Sequence, residues 1–122
     1  MPYSVLICDD DDQVRKLITV VLGSQGYELR EAGHGQAALD ELARGAPDLV
    51  ILDVHMPGID GLTILKTIRG DPALAATRVV LLSGASAALD ADWSERVGAD
   101  AHLAKPFTLS ALEETVQSLL DR

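Results

Sequence analysis

DLVILDVHMPGIDG, residues 48–61, begins with a strand-like run, Leu49 to Val54, that is apolar except for one carboxylate, Asp53. Branched apolar residues followed by Pro57 and Gly58 predict a strand buried on both faces, as a parallel sheet demands. Asp53 lies near the carboxyl end of that strand, the edge at which open α/β sheets bind ligands. An unpaired charge buried there costs several kcal/mol or neutralises itself by a shifted pKa. Asp53 therefore either caps the coming turn or shares its edge with other charged groups.

Working outward, Tyr3–Cys8 reads as a short apolar strand that breaks into Asp9, Asp10, Asp11 and Asp12. Val14, Leu17, Ile18, Val21 and Leu22 then recur at helical spacing, with Asp11 and Asp12 placed to cap the helix start. Tyr27–Ala32 predicts a second strand, toward an edge because Glu28, Arg30 and Glu31 are charged. Gly35–Arg44 predicts a helix with Ala38, Leu39 and Leu42 inward. After the Asp53 strand, Gly61–Arg69 repeats the helical pattern through Leu62, Leu65 and Ile68. Residues 73–77 carry no assignable pattern.

Arg78–Ser83 predicts a fourth strand, 89–97 a helix carrying Trp93, and Ala101–Ala104 a fifth strand. Thr108 can cap a last helix with Leu109, Leu112, Val116, Leu119 and Leu120 on one stripe. Five strands alternating with five helices predict an α/β domain over residues 1–122, a doubly wound parallel sheet with helices on two faces. Its expected order is 2-1-3-4-5, with the first and third strands side by side at the topological switch point.

The 122 residues suffice for one domain with a proper core. A formal charge of −9 argues against direct nucleic-acid or anionic-membrane contact. No apolar run approaches the roughly 18 residues of a membrane span, and a lone Cys8 in an apolar run reads as a small buried hydrophobe. Together these point to a cytoplasmic setting.

Each strand end carries chemistry: Asp9 and Asp10 on the first, Asp53 on the third, Ser83 on the fourth, Lys105 after the fifth. Alone, each has an ordinary explanation as cap, turn residue or surface charge. Together they converge on one crevice. Two carboxylates about 4 Å apart repel by about 4 kcal/mol at an effective dielectric near 20, so three need protons or a cation. Oxygen ligands with room for water suit Mg²⁺. A cation, an ammonium and a hydroxyl suit a phosphoryl group, with Asp53 as carboxylate nucleophile.

LICDDDDQVRKLI, DLVILDVHMPGIDG, VVLLSGAS and GADAHLAKPF stand in the order and spacing of the receiver domains of bacterial response regulators, which the chain resembles over essentially its whole length. The resemblance implies a flavodoxin-like, chemotaxis-regulator-like signalling module rather than an enzyme. Asp53 would take a phosphoryl group from a histidine of a sensor kinase or phosphotransfer protein. Mg²⁺ would be held by Asp10 directly, by Asp9 mainly through water, and by Asp53 and the backbone carbonyl of His55. Ser83 and Lys105 would hold phosphoryl oxygens, and Lys105-Pro106 would be cis.

The resemblance also implies a two-state output. Ser83 moves toward the phosphoryl group, and the face of the 89–97 helix, fifth strand and last helix changes its affinity for a downstream protein or output domain. Driving such a switch from 1:99 to 99:1 takes about 5.5 kcal/mol. Where the family commonly carries a rotating aromatic ring, this chain has His102. It is either a switch residue with a pH-sensitive balance or an exposed histidine on the partner surface.

Two other classes compete. An Mg²⁺-dependent phosphohydrolase working through an aspartyl-phosphate would usually carry an acid two residues after the nucleophile, where His55 stands. A pseudo-receiver that never takes phosphate would not need Asp9, Asp10, Asp53 and Lys105 together. No output domain follows Arg122, which leaves open both a stand-alone regulator and a receiver cut from a longer protein.

Overall fold

A computed structural model describes residues 2–84 and 96–120. In chain order the elements are β1 (Ser4–Cys8), α1 (Asp12–Gly23), β2 (Glu28–Ala32), α2 (Gly35–Arg44), β3 (Leu49–Asp53), α3 (Gly61–Gly70), β4 (Arg78–Ser83), β5 (Ala101–Ala104) and α4 (Leu109–Leu120). Arg96 and Val97 are helical, at the end of the expected 89–97 helix. The rest of that stretch, with Trp93, lies outside the described residues.

All strands run parallel in the order β2-β1-β3-β4-β5. Successive strand residues point to opposite faces, so an uninterrupted apolar strand feeds two cores at once. Leu6, Cys8, Val50, Leu52, Val79 and Leu81 face α2 and α3, meeting Ala38, Leu42, Ile64, Leu65 and Ile68. Val5, Ile7, Leu49, Ile51, Val80 and Leu82 face α1 and α4, meeting Ile18, Leu22, Leu112 and Val116. Burial of each valine, leucine or isoleucine side chain here contributes about 1.5–3 kcal/mol. β2 takes the edge, as its charged residues suggested.

The helices start where the sequence pattern set them, and side chains cap each start. α1 begins at Asp12 under the expected acidic cap: the Asp11 carboxylate accepts from the N–H groups of Gln13 (2.9 Å) and Val14 (3.3 Å). Asp60 does the same for α3 through Thr63 N–H, which holds its carboxyl below the usual range. His34 caps α2 with Nδ1, accepting from Ala37 N–H at 3.1 Å. Thr108 caps α4 as expected, through Ala111 N–H at 3.0 Å.

Residues 72–76 form turns, closed by Leu74 N–H to Asp71 O and Thr77 N–H to Leu74 O, both 2.9 Å. Arg69 fastens this corner, donating to the carbonyls of Gly98 (2.7 Å), Ala75 (3.1 Å) and Thr77 (2.6 Å) and pairing with Asp100 at 2.9 Å. Two residues of the expected inner stripes face outward instead: Leu17 is 44% exposed and Leu109 43%. Leu17 lines an apolar groove of about 320 Å³ with Val14, Lys105, Pro106 and Phe107.

Candidate functional site

The parallel order sets β1 beside β3, so the carboxyl ends of both strands open at the same place. β1 stops at Cys8, and the chain turns sharply because Asp9 bonds back on its own loop: its Oδ1 accepts from Asp11 N–H at 2.9 Å. Asp9 N–H reaches across to Ala32 O at 3.2 Å. Asp9 is thereby driven fully inside, while Asp10 stays exposed. Asp53 ends β3 and is 3% exposed. One carboxylate oxygen from each of Asp9, Asp10 and Asp53 lies within 4.8 Å of the others, the cluster with metal-ligating potential among the described residues.

Lys105 directly follows β5 and reaches in from there; its bond to Pro106 is cis. Its Nζ lies 2.7 Å from Asp9 Oδ2 and 3.4 Å from Asp53 Oδ2. The ammonium thus bridges the two buried acids, a pairing that the sequence reading, which aimed Lys105 at a phosphoryl group, did not include. Burial opposes its charge, but the bond to Asp9 and the charges of Asp53 and Asp9 outweigh this and raise its pKa.

One ammonium among three carboxylates leaves the site negative. Asp53 shows the consequence: burial first, then the charge of Asp9, push its carboxyl from 3.8 up to about 6, against the pull of Lys105 and the His55 N–H, which donates to Oδ1 at 3.3 Å. The native chain therefore holds this proton more tightly than the unfolded chain between pH 3.8 and about 6, and its stability falls as pH rises through that window. The penalty is absent below the window and complete above it. In metal-free buffer, Asp53→Asn is expected to be neutral near pH 4 and to gain about 2–3 kcal/mol over the parent at pH 7. Urea unfolding of both chains across that range measures the difference.

Ser83 ends β4, its register partner Ala104 directly preceding Lys105. Its hydroxyl is buried and, among the described residues, has no hydrogen-bond partner, and Asp9 Oδ2 has none there beyond its ion pair with Lys105. A buried polar atom left unbonded costs about 1–3 kcal/mol. An orphaned donor beside an uncompensated acidic cluster fits a site built for a cation and an oxyanion that complete the bonding.

His55 has an exposed side chain, with its main chain next to Asp53. His102 is half-buried on β5 as the partner of Leu81, on the sheet face opposite Ala101 and Leu103, and among the described residues no hydrogen bond or ion pair joins it to the cluster. Cys8, adjoining Asp9, is fully buried, and burial raises its thiol to about 12, which leaves it inert as the sequence suggested.

Sequence reasoning did not find Arg15. Its Nη1 donates to the Asp9 carbonyl at 2.8 Å, and it ion-pairs with Asp12 and with Glu31 of β2. The Asp12/Arg15 spacing of three on a helix was the one signal available.

The family described as response regulator receiver domain matches residues 5–117. The chain is 40% identical to the response regulator MprA of Mycolicibacterium vanbaalenii, over all of this chain and 52% of that protein. Against MprA of Mycobacterium tuberculosis the identity is 38%, with the same coverage. The chain spans about half the length of these curated relatives. Among solved structures, the chemotaxis response regulator CheY4 of Vibrio cholerae superposes with a TM-score of 0.89 at 29% identity, covering 98% of this chain and 100% of that one. The receiver domain of a histidine kinase from Syntrophus aciditrophicus gives 0.88 at 31%, covering 98% and 90%.

Proposed function

Since the chain belongs to the response regulator receiver domain family, we propose that Asp53 accepts a phosphoryl group from a phosphohistidine of a sensor kinase or phosphotransfer protein. The observation that carries this is the buried Asp53 carboxylate, set among Asp9, Asp10 and Lys105 at one strand edge. An Asp53 oxygen attacks phosphorus as the donor's P–N bond breaks, and the bonding pair leaves on the imidazole nitrogen, which takes up a proton. With its carboxyl at about 6, Asp53 is mostly ionised at neutral pH and available as nucleophile. Lys105 and the Ser83 hydroxyl face the transferred oxygens. The Ser83 hydroxyl has no partner among the described residues, and the Lys105 ammonium already stands 3.4 Å from the accepting carboxylate.

Asp9, Asp10, Asp53 and the backbone carbonyl of His55 would hold Mg²⁺, which supplies charge neutralisation when bound. The apolar groove beside Lys105, with the exposed Leu17, supports docking of a protein donor next to Asp53. Output to a downstream partner or output domain would run through Ser83, β5 with His102, and α4. The module is a signalling element that assists its own phosphorylation and is not a turnover enzyme. The proposed setting is the cytoplasm and the proposed organisation one domain; no helix among the described residues is long and apolar enough to cross a membrane.

Incubation with acetyl phosphate and Mg²⁺, followed by intact mass, tests the reading. The expected result is one added phosphoryl group on the parent and none on Asp53→Asn. A parent that gains nothing, or an Asp53→Asn chain that gains equally, overturns it.

A further inference from the structure

The acidic cluster depends on a turn whose shape is held from outside it. Asp9 is the first residue past β1, so its carbonyl has left the strand ladder. That carbonyl belongs to the Asp9–Asp10 peptide, and its orientation decides where Asp10, the exposed member of the cluster, projects. Asp10 itself is exposed and lies outside the elements, between β1 and the Asp11 cap of α1.

Arg15 is what meets the carbonyl. Nη1 donates to Asp9 O at 2.8 Å, Nε to Glu31 Oε1 at 3.3 Å, and Nη2 to Asp12 Oδ1. These partners come from the β1 end, the edge strand β2 and the first turn of α1, so one rigid fork ties three elements together. A side chain on Gly33 would begin 3.1 Å from Nη1, so the β2–α2 loop also leaves the guanidinium its berth. The side chain is only 18% exposed. The acidic partners raise an already high pKa against the effect of burial, so Arg15 stays charged.

We propose that Arg15 is a positioning residue for the metal site: it orients the Asp9–Asp10 peptide so that Asp10 joins Asp9 and Asp53 around one cation. This rests on the reading that the cluster binds Mg²⁺, and it adds a residue that is not itself a ligand. Geometry and charge predict opposite signs for its removal. Taking a cation away from an acidic cluster strengthens cation binding by simple electrostatics. Releasing the peptide weakens it.

Calorimetric titration of Mg²⁺ at constant ionic strength into the parent, Arg15→Gln and Arg15→Lys separates the two. A lysine keeps the charge but cannot hold three acceptors in a planar fork. The expected result is a loss of affinity of about 10-fold in both variants, the scale of outer-shell effects on metal sites. Backbone amide shifts of Asp10 and Asp11 should move in the metal-free variants while those of β3 do not. Affinity that rises in Arg15→Gln, or is unchanged in both variants, overturns the proposal while leaving the cluster as a Mg²⁺ site. Absence of Mg²⁺ binding in the parent would overturn the underlying reading, and this inference with it.

Discussion

Lys105→Met is expected to lower the unfolding free energy by about 3 kcal/mol at pH 8, the low end of what removal of one partner from a buried ion pair costs. At pH 5 the loss should shrink to about 1 kcal/mol. The ammonium compensates Asp9, which is fully buried, and Asp53, which is nearly so. Water reaches part of the lysine, whose side chain is 23% exposed, and this keeps the cost below that of a fully dry pair.

The pH dependence follows from Asp53. Lys105 is one of the groups that restrain its carboxyl to about 6. Without that restraint the native proton is held to still higher pH, while the unfolded value stays at 3.8. The variant's stability therefore falls with pH over a wider window than the parent's. Denaturant unfolding at pH 5, 6, 7 and 8 gives the curve, and saturating Mg²⁺ should recover part of the loss at the upper end. A loss that is flat with pH would mean that Lys105 acts through packing of its stem and not through its charge.

Gly61→Ala is expected to cost about 3 kcal/mol, the upper range for forcing volume into a packed site. A Cβ on Gly61 would run into the carbonyl oxygen of Asp53 and stand 2.9 Å from both the Asp53 carbonyl carbon and Val54 Cα. All three are backbone atoms at the end of β3, which the sheet holds in register. Relief must come from the first turn of α3, at the cost of the Gly61 N–H bond to Val54 O (3.1 Å). Gly58 supplies the contrast: its φ of 79° favours glycine, but among the described residues, its chain neighbours aside, no atom lies within 4 Å of a Cβ placed there. Gly58→Ala should therefore cost only the left-handed penalty, about 1–2 kcal/mol. Parallel urea melts of the two variants compare them, and a Gly61→Ala loss below that of Gly58→Ala would refute the steric account. Because the displaced backbone carries Asp53, phosphorylation should slow in Gly61→Ala and hold in Gly58→Ala.

The three interior strands, β1, β3 and β4, were legible because burial on both faces leaves a mark that needs no context: Val5–Cys8, Leu49–Leu52 and Val79–Leu82 admit no polar residue. The helix faces were read less well. The pattern turned Leu17 and Leu109 inward, yet both end at the surface, since helical spacing defines a stripe but not how wide a neighbour covers it. Capping by His34 was missed because imidazole is a rare acceptor at that position, and Arg69 because its acceptors lie in loops as far away as Gly98 and Asp100.

Taken by itself, the sequence determined the alternation of strands and helices, the two-faced core, and which residues stand at strand ends, since these follow from local periodicity and the alternation of side chains along a strand. It thereby nominated Asp9, Asp10, Asp53, Ser83 and Lys105. Only the tertiary structure decided how they share charge: that Lys105 bridges Asp9 and Asp53, that the Ser83 hydroxyl has no partner among the described residues, and that Arg15 holds the Asp9 carbonyl. Electrostatic and hydrogen-bond energies change within an ångström or two and with access to water, and both quantities arise only when segments distant along the chain are packed together.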